Sequence, residues 1–449
     1  MRISVKNFGP IREANIRIAP LTLFVGPSNT GKSYMAKVIS AAFESVRAAS
    51  PVYKEDDGIN LSFITNKSLG KKEKELEMEK RFSQWAENAR HEWEKHVGLF
   101  FDKQSENRAQ DKNMSAIVSS DDGRTFVNFR KSQDDKIKAT SLSGLVKMAE
   151  LIFKDSSYSD RGKKHVKISV QRRINARFFS SICDNLSQSI YYLPASRGGI
   201  MQSYHTIADK ALKQTSVPRG KNDSRMISGI FGAFVRQLTG IEKREHGKDD
   251  IKAINEILVH KILGGRIDVK FPGGKPPDFR YVTEDKDELT MNDVSAAVAE
   301  LAPLSIFMRH YLWSKNILIF EEPETGLHPQ AQRYIADIMV RLVNKGVFVL
   351  ATTHSTVVLE QISNAFRASQ FDDTDEGREL LGKDQEPLGQ ELAVYSFMRK
   401  SGGINVKCDT MTVKTDFDST TGILTEDHMD VSRELYDQTV NLVNGQNDE

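Results

Sequence analysis

The residues best suited to chemistry form a short loop near the start of the chain. Glycine stands at each end of the turn, where the backbone can curl around phosphate without colliding side chains. A lysine follows to neutralise phosphate charge, and the next serine places a hydroxyl where Mg2+ binds. This P-loop pattern consists of Gly26, Pro27, Ser28, Asn29, Thr30, Gly31, Lys32 and Ser33. It predicts a site for the polyphosphate of a nucleotide.

A second candidate group is a pair of carboxylates that follows a continuous apolar run, Ile317 to Phe320. A buried strand there delivers Glu321 and Glu322 to its carboxyl end, where open parallel sheets bind ligands. Glu321 can hold Mg2+, directly or through water, and Glu322 can polarise the water that attacks a γ-phosphate. The alternative is a solvated acidic loop.

A histidine forms the third candidate group. His354 follows the next apolar run, Val347 to Ala351. From the end of that strand it can reach a γ-phosphate or the attacking water and report which nucleotide is bound. Taken alone, it would more often be a structural histidine.

The elements that must position these groups alternate between strand and helix patterns. Leu21 to Val25 is a buried run directly before the loop, and apolar residues recur at helical spacing after it. A helical stretch, Gln330 to Asn344, separates the two later apolar runs. Together they predict a parallel sheet with covering helices.

Four segments are predicted along the chain. An N-terminal part of the main domain spans residues 1–50, and a mainly helical insert with a small hairpin around Asp121-Asp122-Gly123 spans 51–188. The main domain resumes over 189–370, where Arg266 to Val282 predicts two strands joined by a Pro/Gly-rich loop. A small α/β segment occupies 371–449.

Composition excludes several classes of protein. With 449 residues the chain is longer than one hydrophobic core usually supports, and its formal charge of +2 identifies no partner. Cys183 and Cys408 belong to no metal-spacing motif, and no apolar run approaches the length of a membrane span. We expect a soluble, cytoplasmic protein. The basic run Arg161 to Arg177 can contact nucleic-acid phosphates or be a solvated face.

In this order the three groups resemble the ATP-binding-cassette (ABC) ATPases, particularly the branch that contains RecF, the SMC proteins and the OLD-family ATPases. The resemblance covers the first 45 residues and about 190–370. It implies an α/β fold, an ABC-ATPase-like P-loop NTPase with a mixed sheet and an inserted helical region. ATP and Mg2+ are the implied cofactors. Lys32, Glu322 and His354 take the catalytic roles, and Ser33 and Glu321 hold the metal.

Two further residues enter through this resemblance. The signature loop, which binds the γ-phosphate held by the opposite subunit, most resembles Asn292 to Leu301 and places its serine on Ser295. The turn Pro194 to Gly198 resembles a motif of OLD-like ATPases near the nucleotide, which makes Arg197 a candidate phosphate or sensor contact. Its alternative is a surface arginine in a turn. Two chains would then sandwich ATP as at least a dimer.

The tail shows no glutamate-glycine strand followed by paired aspartates, the pattern of the nuclease domain in OLD-family proteins. We therefore expect no nuclease in this chain. It then resembles the stand-alone ATPase subunits of bacterial antiphage systems such as PARIS and Septu, whose effector, a nuclease or toxin, is a separate protein. One alternative is a RecF/SMC-like DNA-repair ATPase. Another is a nucleotide-gated scaffold with little turnover.

Overall fold

The computed structural model describes residues 2–48, 115–119, 125–128, 189–208, 229–273, 275–371, 374–382, 384–400 and 403–411, with single residues or pairs between 70 and 92 and residue 438. The chain divides into two compact units. The first comprises Met1–Ile18, Tyr34–Ile190 and Ser228–Ile230, and the second comprises Ala19–Ser33, Tyr191–Ile227 and Phe231–Glu449. All three candidate groups belong to the second unit.

The described strands are, in chain order, β1 (Arg2–Phe8), β2 (Ile11–Arg17), β3 (Leu21–Val25), β4 (Ser115–Ser119), β5 (Thr125–Asn128), β6 (Ile190–Leu193), β7 (Gly265–Lys270), β8 (Asp278–Thr283), β9 (Glu288–Thr290), β10 (Ile317–Glu321), β11 (Phe348–Thr352), β12 (Leu392–Lys400) and β13 (Gly403–Met411). The described α-helices of six or more residues are α1 (Lys32–Ala48), α2 (Arg197–Gln202), α3 (Gly229–Thr239), α4 (Asp249–Leu258), α5 (Ala296–His310), α6 (Pro329–Asn344), α7 (Thr356–Ala368) and α8 (Thr374–Leu381).

The second unit is built on a mixed sheet with the strand order β13, β12, β3, β11, β10, β6. The four neighbours β12, β3, β11 and β10 are parallel, and β13 is antiparallel to β12. The continuous apolar runs predict this arrangement because strands covered on both faces have no polar side. The α/β fold with a mixed sheet is therefore confirmed.

Helices α6 and α7 follow the catalytic-candidate strands β10 and β11. On α6, Ile335, Ile338, Met339 and Leu342 recur at helical spacing and are fully buried. Both helices are capped by the residue before them. The ring of His328 accepts the Gln330 N–H, and the Ser355 hydroxyl accepts the Val358 N–H. Capping fixes where each loop ends, and therefore where the residues after β10 and β11 lie.

A smaller antiparallel sheet in the second unit has the order β7, β8, β9. A π-helical turn, Val259–Leu263, leads from α4 into β7. The Tyr281 hydroxyl donates to the Leu263 carbonyl oxygen at 2.7 Å and ties the sheet to that turn. The strands β7 and β8 confirm the pair predicted between Arg266 and Val282.

The first unit contains antiparallel strands in the order β5, β4, β1, β2. Ile3 and Val5 of β1 are buried and lie opposite Ile16 and Ala14 of β2. Strands β4 and β5 pair as the predicted hairpin, although its turn lies outside the described residues. The predicted helical insert and the basic run Arg161 to Arg177 fall largely or wholly outside them as well.

Part of the last segment, 371–449, joins the mixed sheet of the second unit. Strand β12 pairs in parallel with β3, with Val394 opposite Leu23 and Ser396 opposite Val25. Part of 371–449 is thus a neighbour of the strand that leads into the P-loop. The other predicted segment boundaries stay predictions.

Candidate functional site

The loop after β3 has the backbone of an anion-binding turn. Gly26, Asn29 and Gly31 have positive φ angles of +128°, +60° and +93°. A Cβ atom on Gly26 would lie 2.5 Å from the carbonyl oxygen of Phe397 in β12. Glycine is required there because a neighbouring strand passes so close. Successive turns of this kind point backbone N–H groups into one concavity, which suits phosphate.

Lys32 turns back onto its own loop. Its ammonium donates to the carbonyl oxygens of Gly26 and Pro27, both at 2.7 Å. Burial lowers the pKa of Lys32, and the carboxylates of Glu322 and Glu324 oppose that shift. The loop after β3 and the acids after β10 therefore share one electrostatic site.

Glu321 ends β10 and is only 3% exposed. Its Oε1 accepts a hydrogen bond from the Tyr192 hydroxyl at 2.8 Å, and its Oε2 accepts one from the Ala195 N–H at 3.1 Å. Burial, followed by the charge of Glu321, raises the pKa of Tyr192 well above its ordinary value, so Tyr192 stays a donor. These bonds orient the carboxylate, and each oxygen retains a further lone pair.

Glu322 has a strained backbone. Its φ of +43° lies in the left-handed region, which costs a non-glycine residue about 1–3 kcal/mol. The Glu322 N–H compensates by donating to the Thr352 carbonyl oxygen at 2.9 Å. Its Oε2 accepts a weak bond from the Thr325 hydroxyl at 3.3 Å.

His354 follows β11 and is held by a carboxylate that the sequence reasoning passed over. Glu324 Oε1 accepts bonds from the Thr353 hydroxyl at 2.8 Å and from the His354 N–H at 2.9 Å. The same oxygen lies 3.4 Å from His354 Nδ1. Glu324 is 6% exposed, whereas the His354 side chain is 46% exposed. The signal that could have identified Glu324 is a third acid in the Glu-Glu-Pro-Glu run.

Arg197 lies in different surroundings from those the sequence suggests. It is 0% exposed, and its guanidinium donates to backbone oxygens rather than facing an open site. Nη1 donates to the Glu321 carbonyl at 2.7 Å, Nη2 to the Glu322 carbonyl at 3.2 Å, and Nε to the Glu300 carbonyl at 2.8 Å. The expected contact with phosphate gives way to contacts with protein, because backbone carbonyl oxygens at Pro194, at the end of β10 and in α5 surround the guanidinium.

Arg197 stays protonated although it is buried. Burial lowers its pKa to about 10, and the nearby carboxylates, first of all Glu300, oppose that shift. Nε lies 3.3 Å from Glu300 Oε2, and the guanidinium stacks over the Phe320 ring at 4.8 Å. Arg197 is thus a cation at neutral pH.

Ser295 is exposed at the start of α5. It is the N-cap of that helix, and its hydroxyl accepts the Val298 N–H at 3.3 Å. Serine there suits both a simple helix start and a signature loop, since the free N–H groups of a helix end attract phosphate.

These features define a P-loop nucleotide-binding domain with an α/β fold. The positive-φ loop fits a polyphosphate, and the oxygen donors Ser33 and Glu321 are of the kind that hold Mg2+ together with phosphates. The chain belongs to the AAA ATPase domain family, which it matches over residues 1–359. Membership implies nucleotide binding, for which Mg2+ is the usual metal.

No curated protein matches the sequence. Among solved structures the chain resembles an Smc head bound to the C-terminal winged-helix domain of ScpA, at 11% identity and a TM-score of 0.35, covering 91% of this chain and 98% of the other. It also resembles a Pyrococcus furiosus Smc head bound to the C-terminal domain of ScpA, at 10% identity and a TM-score of 0.33, covering 97% of this chain and 98% of the other. A third similar structure is the Thermotoga maritima SMC head, at 9% identity and a TM-score of 0.32, covering 91% of this chain and 98% of the other. No helix in the described part of the chain is long and apolar enough to cross a membrane.

Proposed function

We propose that this protein binds and hydrolyses ATP, and that ATP binding joins two copies of the chain. One observation carries the proposal. The adjacent parallel strands β3, β11 and β10 end at one edge of the sheet, with Lys32, His354 and Glu322 following their respective ends. A cation, a switch histidine and a carboxylate at one edge suit phosphoryl transfer to water.

Binding begins with the loop after β3. Its backbone N–H groups hold the phosphates, and the Lys32 ammonium exchanges its two carbonyl acceptors for the terminal phosphate oxygens. Ser33 and Glu321 would hold Mg2+, which neutralises charge on the phosphates. Tyr192 keeps the Glu321 carboxylate oriented for that role.

Hydrolysis uses the carboxylates after β10. Glu322 accepts a proton from water as the water oxygen bonds to the γ-phosphorus. The bond from that phosphorus to the bridging oxygen breaks, and ADP leaves with the electron pair. Glu324 holds the loop that carries His354, so that the imidazole can contact the γ-phosphate.

Dimerisation would complete the site. Ser295 is exposed at a helix N-terminus, which suits contact with the γ-phosphate bound by a second copy. ATP then stabilises the closed dimer because both subunits bind it, and hydrolysis releases them.

The wider role follows from the resemblance of the motifs. We propose that the dimer senses an invader and controls a separate nuclease or toxin in the cytoplasm of a bacterium. Isolating the native complex and identifying the copurifying protein tests this role. A nuclease activity that persists in the Lys32→Ala protein would contradict it. DNA-stimulated hydrolysis with binding that falls steeply in salt would favour DNA repair instead.

Two substitutions test the ATPase assignment. Lys32→Ala should abolish ATP binding, whereas Lys37→Ala, five residues further along α1, should leave it unchanged. Glu322→Gln should keep binding, lower turnover by about 100-fold or more, and trap an ATP-bound dimer. Nucleotide titration, phosphate release and sedimentation measure the three effects. Equal ATP affinity in the wild type and Lys32→Ala would refute the site.

A further inference from the structure

The buried Arg197 contacts both the end of β10 and helix α5, two parts of the second unit that lie apart from it in the sequence. Its Nη1 and Nη2 groups donate to the carbonyl oxygens of Glu321 and Glu322 at the end of β10. Its Nε donates to the carbonyl of Glu300 in α5 and lies 3.3 Å from the Glu300 carboxylate. One rigid, planar group therefore contacts both the acids and the helix.

Glu300 itself is held from a second direction. Burial raises the pKa of Glu300, and the charge of Arg197, followed by the Gly198 backbone N–H, opposes that rise. A Cβ atom on Gly198 would lie 2.5 Å from Glu300 Oε1, so alanine at this position would displace the carboxylate. At the adjacent Gly199, a Cβ atom would meet nothing within 4 Å. The pair offers a matched test of the contact.

Glu300 lies near the start of α5, the helix that Ser295 caps. Ser295 lies five residues before Glu300, about 7.5 Å along the helix at 1.5 Å per residue. A Cβ atom on Gly326, in the loop after β10, would lie 3.7 Å from both the Ala296 Cβ and the Glu300 Cγ, which share one face of α5. The loop after β10 therefore lies beside the first turn of α5.

The chemistry of Arg197 suits this task. A guanidinium offers five donors in a fixed plane, whereas a lysine ammonium cannot meet carbonyls on both sides at once. Loss of its charge would also leave Glu300, which is 8% exposed, without its cation.

We infer that Arg197 is a positioning residue that couples the acids after β10 to α5, so that Glu322 and Ser295 shift together when ATP binds. The inference rests on the proposed function and adds its regulation. Occupancy of the chain's own nucleotide site then sets the position of Ser295, which contacts the nucleotide of the second copy. Arg197 touches no substrate and acts through these two elements.

Amide hydrogen exchange on the full-length protein, with and without ATP and Mg2+, tests this coupling. In the wild type and in Gly199→Ala, ATP should slow exchange of the amides at 295–300 by about fivefold or more, the lower end of typical coupling between sites. In Arg197→Lys and Gly198→Ala that response should fall below about twofold, although ATP affinity changes little.

Gly198→Ala keeps the test valid if Arg197→Lys fails to fold. Equal exchange responses in all variants, at normal ATP affinity, would overturn the inference alone. Absence of Lys32-dependent ATP binding in the wild type would overturn the proposed function, and the inference with it.

Discussion

Gly26→Ala would test why the first glycine of the loop is needed. The substituted Cβ would lie 2.5 Å from the Phe397 carbonyl oxygen and 3.3 Å from its carbonyl carbon, both backbone atoms of β12. Because β12 pairs along β3, that backbone cannot retreat without breaking the sheet. The variant should therefore be less stable even without nucleotide, since the obstacle is protein and not phosphate.

Gly382 provides the matched control. Its φ of +112° is close to the +128° of Gly26, but a Cβ atom there would meet nothing within 4 Å. Each alanine carries a backbone strain of about 1–3 kcal/mol and restricts the unfolded chain to a similar extent. The difference between the free energies of unfolding of the two variants therefore reports the cost of the steric contact alone. We expect Gly26→Ala to be less stable than Gly382→Ala by about 1–3 kcal/mol, the usual cost of overpacking.

Urea unfolding of both variants without nucleotide measures this difference as a shift in the midpoint. ATP titration of the folded proteins should also show weaker binding for Gly26→Ala alone, because the displaced loop no longer directs its N–H groups inward. If both variants unfold at the same urea concentration and Gly26→Ala loses only ATP affinity, the glycine serves the phosphate and the steric argument is wrong.

Two more substitutions probe the same sheet. Glu324→Ala removes the acceptor that holds the loop of His354, so kcat should fall by about tenfold or more with little change in ATP affinity, and unchanged phosphate release would contradict this role. Thr22→Val removes a fully buried hydroxyl that accepts the Ala19 N–H at 3.0 Å and donates to the Ala19 carbonyl at 3.1 Å. Stability in urea should fall by about 1–3 kcal/mol, whereas an unchanged midpoint would show that these groups find other partners.

Much of the central sheet was predictable because its signals are local. The apolar runs that become β3, β10 and β11 are continuous and end in polar residues, which is typical of buried parallel strands. Loop composition likewise identified the positive-φ turn at Gly26 and Gly31. Each of these features depends on residues within a few positions of one another.

The position of β12 could not be read in this way. Its sequence indicates a strand, but pairing with β3 joins Val394 to Leu23 across most of the chain. A strand pattern specifies which side chains are apolar and not which edge it meets. The sequence therefore indicated a small α/β segment there, but not that one of its strands passes beside the loop at Gly26.

Arg197 illustrates the same limit for a single side chain. An arginine in a Gly-rich turn suggests an exposed contact for phosphate, since arginine is rarely buried. The structure encloses it because carbonyl oxygens from β10 and α5 converge there, from residues more than a hundred positions away. Glu324 was missed for a similar reason, since its partners lie after β11.

The sequence by itself predicted the glycine-rich loop with its positive-φ backbone neighbours, the order of the chemical groups and the fold class, because these depend on residue type and short spacing. Only the tertiary structure decided that the backbone of β12 leaves no room for a side chain at Gly26, and that Glu324 accepts a hydrogen bond from the His354 N–H. The same is true of Arg197, which contacts both the acids after β10 and α5. These contacts depend on which distant segments meet, and the packing of the whole unit determines that.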